Sequence, residues 1–161
     1  QDKLFEDGYD PELRLKELGI TLPIPPIPVN NYVNGVRTGN LIFLAGKGPK
    51  RADGSWIIGK LGADVTIEKG YEAARLTAIN QLAVLKAMLG DLSRVTRVVK
   101  VLGMVNSDPS FNEQPKVING AVENPISSAP SKPAITTSLP VLIPPSVCNV
   151  TLLLKSFNTN V

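Results

Sequence analysis

Between Thr66 and Gly90 the chain carries one long helical pattern, with Ala74, Ala78, Leu82, Leu85 and Leu89 returning at steps of three and four residues. Thr66 is a natural N-cap, Glu68 sits in the first turn where the helix dipole favours a carboxylate, and Gly90 provides a stop. A stripe of this kind has to be buried against another layer. The segments around it supply that layer. Tyr32 to Arg37 and Leu41 to Ala45 read as two strands joined by the turn Thr38-Gly39-Asn40. A short strand is expected at Trp56 to Ile58, after the loop at Asp53-Gly54. Val95 to Val105 is β-branched and reads as a further strand. A turn over Asn106 to Ser110 leads to a second helix from Phe111 to Gly120, with Ser110 as cap and Glu113 completing a capping box. Upstream, Pro11 to Leu18 predicts a short helix whose Leu13 and Leu18 share a face and whose stop is Gly19. The order of elements predicts one α+β domain over 1–161: a mixed sheet with two helices packed on one face.

The connector after the first helix, LPIPPIPVNN, is too rich in proline to pair inside a sheet. Residues 1–30 therefore form an N-terminal helix plus an extended strap. The other end changes character at Ala121-Val122. Of 14 acidic and 17 basic residues, only Glu123, Lys132 and Lys155 lie beyond Ala121. In this atypical segment, 122–161, only Val147 to Leu154 reads as a strand. Pro133 to Leu154 carries no charge, but its four prolines argue against a membrane helix.

Composition removes several classes of chemistry. There is no histidine and a single cysteine, Cys148. Histidine-based triads, histidine bases, histidine-bound metals and intrachain disulfides are excluded. No metal or cofactor motif is present. Cys148 is flanked by apolar residues and reads as core, since no histidine can activate it. The net charge is only +3 and the basic residues are scattered, which speaks against nucleic acid as a partner. Arg94, Arg97 and Lys100 lie in or near one strand. Their three-residue spacing predicts that Arg97 faces away from both others, on solvated or subunit-bridging sites. No basic and apolar leader opens the chain, so a cytoplasmic location without membrane association is expected. With aromatics at 5%, the core must be aliphatic.

Three stretches carry a resemblance: LGITLP at 18–23, NYVNGVRTGNLIFLAGKGP at 31–49, and 59–121 with the phrases GYEAARL and FNEQPKVINGA. In these the chain resembles the YjgF, or reactive intermediate deaminase, superfamily, in the branch labelled endoribonuclease L-PSP, chorismate-mutase-like. The resemblance implies a chorismate-mutase-like fold, a homotrimer built around a central barrel, and small-molecule clefts between subunits. It implies hydrolysis of reactive imines and enamines to a carbonyl compound and ammonia. The cleft residues it points to are Tyr32 as an aromatic wall, the turn Gly46-Lys47-Gly48, and Asn119 on the second helix. Relatives usually carry Gln where Lys47 stands. Two family features have no counterpart: no arginine follows Arg97, and Thr151 and Leu153 stand where acidic residues are expected.

The residues themselves support bland readings as well. Tyr32 also suits a packed strand residue, Lys47 a solvated loop lysine, and Asn119 a helix-ending residue before Gly120. The functional readings are an imine or enamine hydrolase acting on a small carboxylate or imine, then a trimer that binds metabolites without turnover, and last an endoribonuclease. RNA cleavage by general acid–base chemistry wants titratable groups in a basic groove, which this chain does not show.

Overall fold

The computed structural model describes residues 10–25, 27–28, 31–123, 134–138 and 146–156; of 134–138 the backbone alone is described. The elements are α1 (Pro11–Glu17), β1 (Gly35–Thr38), β2 (Leu41–Leu44), α2 (Ile67–Leu89), β3 (Val95–Val105), α3 (Gln114–Val122), β4 (Ala134–Ser138) and β5 (Cys148–Ser156). A 3-10 turn, Leu92–Arg94, leads into β3. The strands form one mixed sheet in the order β1-β2-β5-β3-β4, in which only β3 and β4 run parallel. The α+β architecture expected from the element order is the one observed.

The hairpin forms as its turn residues dictate. Thr38 pairs with Leu41, leaving Gly39 and Asn40 as a two-residue loop, and Gly39 takes the positive φ of +56° that a side chain would resist. β1 itself starts at Gly35, three residues later than expected, and Trp56 to Ile58 forms no strand of the sheet, only isolated bridges from Lys50 to Trp56 and from Ile58 to Ser146.

Helix α2 matches its sequence pattern from cap to stop. The Thr66 hydroxyl accepts from the Lys69 amide, and Gly90 ends the helix at φ +79°. The Arg94 side chain donates to the Leu89 carbonyl at 2.8 Å, so this residue caps the end of α2 and stands in the 3-10 turn, not in the strand. Thr66→Ala removes the N-cap and is expected to cost about 1 kcal/mol, read as a lower melting temperature with an unchanged native spectrum.

The core lies between the sheet and α2 and α3. β5 alternates strictly, with Cys148, Val150, Leu152 and Leu154 buried on the helix side. Ala74, Ala78, Leu82 and Leu85 of α2 and Val117 and Ile118 of α3 meet them in one aliphatic cluster. The two helices cross closely: a Cβ on Gly120 would stand 2.1 Å from the Tyr71 carbonyl oxygen.

Four expectations are corrected. Leu13 is 53% exposed, and Leu15 is the residue that α1 buries, because Glu12 on the adjoining face bonds Lys86 of α2 at 2.6 Å. The second helix starts at Gln114, not Phe111. Ser110 turns back to the Asp108 carboxylate at 2.7 Å instead of capping, and Pro115 falls in the first turn where it is tolerated. Arg97 and Lys100 face the same side. They pair with Lys155 and Leu153, two residues apart on β5, because β3 has an irregularity between Val98 and Lys100 that restores the face lost by odd spacing. Finally, the tail contributes two strands, since β4 adds a parallel edge beside β3.

Candidate functional site

Tyr32, Asn34 and Lys47 meet at the end of β2. The chain enters β1 alongside the segment that leaves β2, where the Ala45 amide donates to the Asn34 carbonyl at 2.9 Å. Lys47 exchanges both backbone bonds with Val150 of β5, at 3.1 and 3.0 Å. Neither the Gly46 nor the Gly48 amide donates to a described residue, so two N–H groups flank Lys47 unclaimed among the described residues. A side chain at either position would have to displace a neighbouring side chain. A Cβ on Gly46 would fall 2.3 Å from Asn149 Oδ1, and one on Gly48 would fall 2.8 Å from the Trp56 ring.

The Lys47 side chain is not the solvated loop lysine of the bland reading. It is 6% exposed, its Nζ donates to Asn34 Oδ1 at 2.8 Å, and Nζ lies 5.3 Å from the centre of the Tyr32 ring. Tyr32 is 44% exposed, so one part of this ring faces solvent while Nζ lies against another. No carboxylate pairs with Lys47 among the described residues. A hydrogen bond to a charged group contributes about 1.5–3 kcal/mol. A cation over a ring adds about 0.5–2 kcal/mol. Removing an ammonium from water costs several kcal/mol, so burial prevails and holds the Lys47 pKa below the ordinary lysine value.

Asn119 stands elsewhere. It is half-buried on α3, its carbonyl accepts from Glu123 at 2.8 Å, and its side chain bonds no described residue. Within one chain the structure brings together Tyr32, Gly46, Lys47 and Gly48, but not Asn119. Asn34 was missed by sequence reasoning. Its signal was the two-residue step from Tyr32, which places both side chains on one face of an extended segment.

Behind the site, Asn80 Nδ2 holds the loop through the Gly48 and Lys50 carbonyls, at 3.1 and 3.0 Å. Gln81 Nε2 donates to the Ala45 carbonyl at 3.0 Å. Cys148 is fully buried, with Sγ 3.6 Å from the Thr77 hydroxyl, and burial pushes its thiol up to about 12 from 9.0. The folded pKa is the higher one, so the thiol's contribution to stability is whole below the unfolded value of 9.0 and is lost as pH rises towards 12. A thiol reagent at pH 8 is therefore expected to leave Cys148 intact in the native protein and to modify it in denaturant.

A separate groove of about 640 Å³ runs between α1, residues 19–25 and α2. Its wall includes Glu12 and Lys86, which already pair with each other, and none of Tyr32, Asn34 or Lys47 lines it. No cluster suited to a metal ion occurs among the described residues. No helix among them is long and apolar enough to cross a membrane.

Residues 12–155 match the family described as "YjgF/chorismate_mutase-like, putative endoribonuclease". Protein TCP17 of Trypanosoma cruzi is 46% identical over 107 residues, covering 66% of this chain and 67% of that protein. A crystal structure from Shewanella oneidensis MR-1, carrying the same description of its activity, superposes with a TM-score of 0.82 at 32% identity. It covers 91% of this chain and 99% of its own. Atu1372 of Agrobacterium tumefaciens, a protein of unknown function, reaches a TM-score of 0.81 at 35% identity, over 91% of this chain and 92% of its own.

Proposed function

The chain belongs to the YjgF/chorismate-mutase-like family, and from that membership we propose that it is an imine and enamine hydrolase whose site forms between the subunits of a homotrimer. The observation that carries this reading is the buried Lys47 amine under Tyr32, flanked by the unclaimed amides of Gly46 and Gly48. Amides of this kind suit a small carboxylate, and the ring suits a flat, conjugated C=N or C=C–N group. Asn119 joins the cleft from a neighbouring subunit. Water supplies the carbonyl oxygen and ammonia leaves, which asks for orientation more than for a strong base.

The trimer is supported by the face of the sheet that carries no helix. Val36 and Phe43, cross-strand partners there, are 54% and 46% exposed, and Leu153 lies beside Phe43 on β5. This apolar patch, on a face that also carries Arg97, Lys100 and Lys155, marks an association surface.

The test is to add the protein to a pyridoxal-phosphate-dependent dehydratase that releases an enamine. Faster appearance of ammonia is expected. A rate equal to that in buffer rejects the hydrolase.

A second reading, a trimer that binds metabolites without turnover, is favoured by Thr151 and Leu153 on β5 and by the lack of any arginine beyond Arg97. Binding of a 2-keto acid by calorimetry with no effect on imine lifetime would establish it. An endoribonuclease reading has only the family description behind it.

A further inference from the structure

Lys47 offers more donors than its surroundings accept. An ammonium carries three N–H groups and no lone pair. Among the described residues one acceptor, Asn34 Oδ1, lies at 2.8 Å, and the centre of the Tyr32 ring lies 5.3 Å from Nζ. The ring favours the cation, but burial works the other way, towards a neutral amine with two N–H groups and a lone pair for reaction. A desolvated lysine amine beside a carbonyl or imine carbon is a nucleophile.

We propose that Lys47 is the covalent nucleophile of this site, adding its amine to the imine carbon of a substrate held against Tyr32. The idea rests on the hydrolase reading and deepens it. Nζ bonds to the imine carbon, and the C=N electron pair moves to the imine nitrogen. Both amine protons of Nζ end on that nitrogen, which leaves as ammonia. The product is a Schiff base between Lys47 and the substrate. Water then adds to this C=N carbon, its two protons pass to Nζ, and the C–Nζ bond breaks to release the carbonyl compound. Imine and water enter, carbonyl and ammonia leave, and nothing is oxidised or reduced. The substrate class is 2-imino acids and their enamine tautomers. Because the last step is reversible, a 2-keto acid forms the same Schiff base from the product side.

Pyruvate with cyanoborohydride, added to the intact protein, tests this. Peptide mass mapping is expected to find a reduced adduct on Lys47 ahead of the exposed Lys50. Lys47→Arg keeps a donor for Asn34 but has no free amine, and is expected to lose both the adduct and the imine turnover. Lys50→Met should change neither. Adducts spread over surface lysines with Lys47 unmodified would overturn the proposal, and this result needs no variant. Turnover retained in Lys47→Arg would remove the nucleophile and leave the hydrolase reading standing. An adduct on Lys47 without faster imine loss would keep the nucleophile and remove the hydrolase.

Discussion

Replacing Gly120 by alanine is expected to destabilise the protein by about 3 kcal/mol, the upper end of what overpacking usually costs. Two effects compete. Alanine gains roughly 1 kcal/mol over glycine inside a helix. Against this, the new methyl would lie 2.1 Å from the Tyr71 carbonyl oxygen, and 2.9 Å from its carbonyl carbon. Those atoms belong to the backbone of α2, so no rotamer change relieves the clash. Either α3 moves away, opening the contacts of Val117 and Ile118, or the crossing fails. For a domain of this size the melting temperature should fall by roughly 6–12 °C at fixed protein concentration. A melting temperature equal to or above that of the parent would show that the helices do not cross at Gly120.

Phe43→Asp is expected to abolish both assembly and turnover. Phe43 lies on the helix-free face, between Val36 on β1 and Leu153 on β5. Within one subunit it is 46% exposed, so the charge costs the fold little. In a trimer the same face becomes interior, and three carboxylates would be buried near one another. Burying these carboxylates costs several kcal/mol even with Lys100 and Lys155 on the same face, which exceeds what one subunit contact supplies at dilute concentration. Sedimentation should change from trimer to monomer with the native circular dichroism retained. A parent protein that sediments as a monomer, or a variant that remains a trimer, would contradict the assembly.

The fold was legible where local chemistry and tertiary need agreed. α2 shows this best, with Thr66, the aliphatic stripe and Gly90 all marking the same element. The hairpin at Gly39-Asn40 is another case. Legibility failed where a partner made the decision. The irregularity in β3 that turns Lys100 to the same side as Arg97 exists only in register with β5, which is distant in sequence. β4 has no strong apolar alternation and gains its identity from parallel pairing with β3. Ser110 was a credible cap, yet the carboxylate of Asp108, two residues away, captured its hydroxyl first.

The candidate residues were named through the family resemblance, and their electrostatics were not legible. Tyr32 and the Gly46-Lys47-Gly48 turn could be singled out in the sequence, and the structure adds Asn34 as the acceptor between them. What could not be read was the burial of Lys47, because a lysine between two glycines in a loop is ordinarily solvated. The structure also leaves Asn119 on α3, apart from the Lys47 cluster within one chain.

The most direct measurement is the lifetime of a 2-imino acid generated by a flavin amino-acid oxidase and captured by semicarbazide. Adding the protein should lower semicarbazone formation while keto acid and ammonia accumulate faster, and Lys47→Arg should return the signal to that of buffer. Semicarbazone formation unchanged by the parent protein, over a range of imino-acid side chains, would contradict the account.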